Sequence, residues 1–356
     1  MKRPGTNTTA VTGRTKPRAV EDRTDTWALN GTTFDPDKAA LLQRTLRADP
    51  HNLEARVKLL GYLSQRRFGN LKDPNYCEHA VWLIRNYPGI KVSGSPWVAV
   101  HRRIDPCFRK IERIWDHHRV HFPRDSAVLR NVARFYSGTG SLRKAEAVLR
   151  RLQGLEPHNP DWHGDLARLY YLHGRWQKPA ERRYWASKAL HEYIRAEAKS
   201  SAKQRYYLLP DLAEAAYEAR RLAVASRYAR NLLARAREHT GTWSYGNAIH
   251  HGNTVLGLVA ADQGRLAAAE RHLAASCRGV DSPQLMSFGP STRLAEALLA
   301  HGSNRAVVGF LEQCKTFWRM DSGSLTRWID AIEAGRKADF MVRFDVRAAT
   351  GRKVRL

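Results

Sequence analysis

Between Asp125 and Pro160 apolar residues recur at helical spacing. Leu129, Val132, Ala133 and Tyr136 form one stripe, Gly140 interrupts it, and Ala145, Leu149 and Leu152 resume it before Pro157 ends it. The pattern predicts two helices joined by a glycine turn. Neither helix can bury its stripe alone, so each must lie against the other and against neighbours of the same kind. The offsets return around three more glycines. Leu166, Ala167 and Tyr170 precede Gly174; Leu256, Gly257 and Ala260 precede Gly264, with Ala269 and Leu273 after it. Leu294, Ala295 and Leu298 precede Gly302, with Val307 and Leu311 after it. A short side chain lets paired helices approach closely, and a turn glycine accepts a positive φ at little cost.

This unit resembles the tetratricopeptide repeat, a helical pair of about 34 residues whose stacked copies share a continuous core and a concave groove. The resemblance implies an all-α solenoid of roughly six or seven helical hairpins over residues 35–335. Where Pro179 stands, the repeat pattern has alanine, which predicts a second helix that starts late, with Pro179 in its first turn. The stretch Tyr245 to Asn253 and the loop Ser282 to Pro290 are similar to a C-terminal module of tetratricopeptide-like bacterial proteins of unassigned role. That likeness covers about the last third of the chain and implies no chemistry.

Outside the repeats the pattern is weaker. Residues 1–34 are rich in Thr, Gly, Pro and charge and poor in large apolar side chains, which predicts a disordered basic tail. Order is expected to begin at Asp35-Pro36-Asp37, and that helix ends at Asp49-Pro50-His51-Asn52, a motif that returns as Glu156-Pro157-His158-Asn159. Further helices are predicted from Leu53 to Gln65, Tyr76 to Tyr87, Asp105 to His121 and Glu181 to Lys199, with a loop from Pro88 to Pro96. Pro210 is read as opening another pair that runs to Glu238, and a last helix spans Leu325 to Ala334. Beyond it, Phe340, Val342, Phe344 and Val346 alternate with polar residues, so residues 336–356 read as a short β-hairpin or as a disordered basic tail.

Charge changes this picture more than composition does. Lys and Arg number 60 against 34 Asp and Glu, a formal net charge of +26, and 45 of the 60 are Arg. Two readings stand: an anionic partner, or a genome rich in Arg and Ala codons. The four cysteines, Cys77, Cys107, Cys277 and Cys314, show no C-x-x-C pair, and buried free thiols are expected. With no apolar run after the basic N-terminus and no segment suited to a bilayer, a soluble, bacterial-type reducing cytoplasm is the expected setting, without membrane contact.

Candidate chemistry is sparse. His117 and His121 share a helix face at the spacing of two metal ligands, yet histidine near a helix C-terminus is favoured by the dipole alone, and no third ligand can be named. His250 and His251, flanked by Tyr245, Asn247 and Asn253, form the one polar cluster. They read as a hydrogen-bonded helix start closing one end of the groove, or as a ligand contact; no nucleophile in a recognised setting accompanies them. Gly138 to Ser141 lacks the Lys and the length of a phosphate loop.

The first helix of each pair lines the concave side in this architecture. By that register Arg130, Asn131 and Arg134, then Arg168 and Tyr171, then His251 and Arg293 face the groove as a basic strip. The strip is similar to carboxylate-clamp repeats, although only Arg130, Asn131 and Arg134 carry over, and loosely. The sequence therefore leads to a non-enzymatic scaffold, without cofactor or metal, that holds an acidic or carboxylate-bearing protein segment. A nucleic-acid-binding repeat protein is the alternative, and an enzyme using His250 and His251 lacks a nameable reaction.

Overall fold

The computed structural model describes residues 18–66, 74–279 and 282–340. Among these residues all regular structure is helical, in seventeen α-helices and three short 3-10 turns. The chain divides into two compact units, residues 1–155 and 156–356. The alternating segment from Met341 onward, read as a hairpin or tail, lies outside the described residues.

In the first unit the helices are α1 (Arg18–Thr32), α2 (Pro36–Ala48), α3 (Leu53–Arg66), α4 (Pro74–Asn86), α5 (Phe108–His121), α6 (Ser126–Gly138) and α7 (Leu142–Leu155). Helix α1 corrects the expectation of a disordered tail over residues 18–34, while residues 1–17 of that expectation lie outside the described residues. It lies across α3 with Thr24 and Ala28 fully buried. The two backbones nearly touch: a Cβ at Gly31 would sit 1.9 Å from the Lys58 carbonyl oxygen, and one at Gly61 would sit 1.9 Å from that of Ala28. The crossing is made by small residues, Ala28 and Gly31 against Gly61.

A second correction concerns the thiols. Cys77 on α4 and Cys107 at the start of α5 form a disulfide with Cα atoms 5.6 Å apart, whereas Cys277 and Cys314 are free and buried. The segment between α4 and α5 doubles back to make this contact. Tyr76 Oη donates to the Trp97 and Ala99 carbonyls at 3.1 and 2.8 Å, fastening the far end of the segment to α4.

The second unit contains α8 (Pro160–Gly174), α9 (Pro179–Lys199), α10 (Ala202–Glu218), α11 (Leu222–Ala236), α12 (Trp243–Asp262), α13 (Leu266–Ala275), α14 (Pro283–Phe288), α15 (Arg293–Leu299), α16 (Asn304–Cys314) and α17 (Ser324–Glu333). From α8 to α13 each helix packs on the next in the chain. Leu273, Leu294, Leu298, Val307, Phe310 and Trp328 anchor the core at the C-terminal end. Helix α10 starts earlier than expected. Ser201 caps it in a reciprocal box with Gln204, and Pro210 falls inside the helix instead of opening it.

The turns between paired helices explain both the successes and the failure of the glycine register. Gly140, Gly264 and Gly302 take φ of +72, +71 and +78°, and the residue after each donates its N–H five residues back, to the carbonyls of Tyr136, Ala260 and Leu298. This is the Schellman closure, which needs a left-handed residue. The α10–α11 turn makes the same closure, Arg221 N–H to Ala216 O, with Arg220 in the left-handed position at φ 58°. Gly174 belongs to a different case. It ends α8 in helical conformation, where a Cβ would meet the Trp185 Cβ at 2.5 Å, so its role is close packing on α9. No helix among the described residues is long and apolar enough to cross a membrane.

Candidate functional site

Helix α10 carries Asp211, Glu214 and Glu218 at i, i+3 and i+7, a spacing that puts all three carboxylates on one face while Leu212, Ala213, Ala215 and Ala216 are buried. That face meets polar residues from α8, α12 and α15. Tyr171 Oη on α8 donates to one Glu214 oxygen at 2.9 Å, and His251 Nδ1 on α12 donates to the other, also at 2.9 Å. Arg293, at the start of α15, pairs with Glu218 and stands over the Tyr217 ring at 5.6 Å.

Burial raises the Glu214 pKa, but the bonds and charges of His251, Arg293 and Tyr171 outweigh it and bring it down to about 2. Burial would lower the His251 pKa, and Glu214 overcomes that and raises it. Glu214 is therefore ionised at neutral pH, and its charge favours the protonated form of His251. Asp211 behaves differently: burial dominates, its neighbour Glu214 adds to the shift, and Arg168 offsets only part, so its pKa rises to about 6. Burial lowers the Arg168 pKa, and Asp211, Tyr193 and Asp165 together outweigh it and raise it.

Tyr171, Glu214, Glu218, His251 and Arg293 line a recess of about 720 Å³. His251 keeps 34% of its side chain open to it, and its Nε2 has no hydrogen-bond partner among the described residues. Trp176, 82% exposed, and Phe288, 77% exposed, stand at the edge, with Arg175 beside the Trp176 ring at 5.7 Å. Trp318, Trp328 and Phe340 supply further aromatic wall.

His250 does the opposite of its neighbour. It is buried, its Nδ1 donates to the Ser276 carbonyl at 3.0 Å, and its Nε2 accepts from the Ser291 N–H at 2.8 Å. Burial and the charge of His251 bring its pKa down to about 4, so it is neutral. The stretch expected at a helix start is the interior of α12. Asn253 lies there as well, donating to the Ile249 carbonyl and accepting from His272 Nδ1 at 3.0 Å, and is buried as a structural residue.

Of the expected site residues, Tyr171, His251 and Arg293 come together in the recess, with Arg168 beside them through Asp211. Arg130, Asn131 and Arg134 belong to the first unit. Asn131 is fully buried and not groove-facing: its Nδ2 donates to the Pro88 and Ile90 carbonyls, both at 2.8 Å, and so holds the loop before α5. Arg130 is half-buried and Arg134 exposed. His118 is buried with Nε2 on the Ile84 carbonyl at 2.9 Å, and His117 and His121 stack at 3.7 Å. No group of three His, Cys, Asp or Glu among the described residues is arranged to hold a metal.

The carboxylates of α10 were missed for a physical reason. With the helix started at Pro210, Asp211 and Glu214 fall in a first turn, where acidic residues are explained by the helix dipole. Their interleaving with small apolar residues was the available signal. The strip expected to be basic is, in the second unit, a set of paired charges. The sequence matches no family model and no curated protein.

Proposed function

We propose that this chain is a non-enzymatic helical-repeat scaffold, a tetratricopeptide-like solenoid, that holds a carboxylate-bearing protein segment. The observation that carries this reading is the His251 imidazole in the recess, fixed through Nδ1 by Glu214, which favours its protonated form, and with Nε2 uncommitted. A protonated Nε2–H donates to an anion and has no lone pair with which to take a proton, which favours binding over general-base chemistry. Trp176 and Phe288 offer apolar faces to the residues next to the captured carboxylate. Arg293 and Arg168 are neutralised by Glu218 and Asp211, so they shape the site more than they attract to it.

The test is calorimetric titration of the full chain with acidic peptides that end in a free carboxylate. His251→Gln and Trp176→Ala each weaken binding about tenfold, the scale of one charge-assisted hydrogen bond or one aromatic contact. Unchanged affinity in both variants overturns the reading. The Cys77–Cys107 bridge weighs against the expected cytoplasmic setting, because disulfides persist in oxidising compartments. Thiol counting on protein alkylated at lysis decides it.

A further inference from the structure

Between Glu181 and Glu238 the chain carries thirteen Lys and Arg and seven acidic residues, of which the two at the ends, Glu181 and Glu238, are exposed. Each of the five carboxylates between them faces an internal partner. Glu192, 2% exposed, accepts from His163 Nδ1 at 2.7 Å, and Glu197 accepts from Tyr228 Oη at 2.8 Å. Asp211 faces Arg168, Glu214 takes Tyr171 and His251, and Glu218 takes Arg293.

The cations turn the other way. On α9, Arg183, His191 and Arg195 recur at i, i+8 and i+12 and are all exposed. On and just after α11, Arg227, Arg230 and Arg237 form a second exposed stripe, and α11 itself contains no acidic residue. None of these five arginines has a carboxylate partner among the described residues. The Tyr228–Glu197 bond joins α11 to α9, so the stripes lie on neighbouring helices.

An arginine excess imposed by codon usage has no reason to give five of seven acids internal partners while these arginines stay exposed and unpaired. A face of repeated guanidinium groups without intervening carboxylates suits a polymer of regularly spaced anions, and guanidinium grips phosphate oxygens bidentately. Tyr184, 57% exposed beside Arg183, adds a ring on which an unpaired base can stack. We propose that the outer face of α9 and α11 binds the phosphodiester backbone of a nucleic acid. This surface stands apart from the recess reading, since none of these exposed residues lines the recess.

Fluorescence anisotropy of the full chain with labelled single-stranded and duplex oligonucleotides of about 20 nucleotides, measured over a salt series, tests this. Arg227→Glu with Arg230→Glu is expected to weaken binding at least tenfold near physiological salt and to reduce the slope of log affinity against log salt by about two. The same charge change at Arg143→Glu with Arg151→Glu, exposed on α7, is expected to cost less than about twofold. Arg227→Gln with Arg230→Gln, checked by circular dichroism, gives the same direction without introducing repulsion. His251→Gln leaves oligonucleotide binding unchanged, which separates this result from the peptide titration. Equal losses in the two glutamate pairs, or no binding at about 50 mM salt, overturns the proposal. Binding to phosphatidylserine vesicles without binding to oligonucleotide gives the face to a membrane and also overturns it.

Discussion

His251 is held by Glu214 through a single bond of 2.9 Å, and each raises the cost of discharging the other. The Glu214 pKa lies at about 2 against an ordinary 4.5, so its contribution to stability is complete above pH 4.5 and is lost as pH falls toward 2. The His251 pKa is raised above 6.5, so its contribution is complete below 6.5 and is lost as pH climbs through the raised value. In Glu214→Gln the His251 ring, followed by NMR, titrates at lower pH than in the native chain, and stability drops by about 1–3 kcal/mol. An unmoved titration disproves the pairing.

His250 gives the opposite linkage. Its pKa falls from 6.5 to about 4 on folding, so the unfolded chain binds the extra proton and stability is lost as pH descends through that interval. His250→Asn removes that acid sensitivity between pH 6.5 and 4 and lowers stability at pH 7 by about 1–3 kcal/mol, because the Ser276 carbonyl and the Ser291 N–H lose their shared partner. Denaturant melts at both pH values measure the two effects separately.

At Arg220 the left-handed backbone costs about 1 kcal/mol, and the side chain recovers part of this through its ion pair with Asp262. Arg220→Gly is therefore expected to exceed Arg220→Ala in stability by about 1 kcal/mol, since both lose the pair and only glycine relieves the strain. Equal midpoints in urea for the two variants contradict this.

The α1–α3 crossing leaves no room for a methyl group at Gly31 or Gly61. Gly61→Ala forces the backbones apart and destabilises the first unit by about 1–3 kcal/mol or more. Limited trypsin digestion reads the result. Arg23 on α1, expected to resist cleavage in the native chain, becomes susceptible in the variant.

The Cys77–Cys107 bridge closes a loop with a sequence separation of 30. Chain entropy puts its contribution at about 3–4 kcal/mol. Cys77→Ser with Cys107→Ser is expected to lower the unfolding midpoint of the first unit by a matching amount while leaving Cys277 and Cys314, buried with thiol pKa values raised by burial, unreactive to alkylation in the native state.

Helical periodicity made most of this fold legible. Stripes such as Leu129, Val132 and Tyr136 are core because spacing of that kind on a helix has no other economical use, and turn glycines 140, 264 and 302 mark closures that require a left-handed residue. The failures share one cause, which is that a partner distant in sequence decides the role. Nothing near Gly31 announces the Lys58 carbonyl, and nothing near Cys77 announces Cys107. Arg220 was invisible as a turn because the rule looks for glycine, and the tertiary contact to Asp262 lets arginine stand there. In the recess, Tyr171, His251 and Arg293 could be placed by register, but the carboxylates that set their charge come from α10 and are seen only once that helix has its true start.

Asn247 and His250 fasten the loop that bears Phe288. Asn247 accepts from Ser282 Oγ at 2.7 Å and donates to Gln284, while His250 takes the Ser291 N–H. The rim of the recess at Phe288 is thus held in place from α12. If the proposed binding reading holds, substitution at Ser282, which does not line the recess, retunes selectivity through Asn247, and a library varied only at the visible rim would miss it.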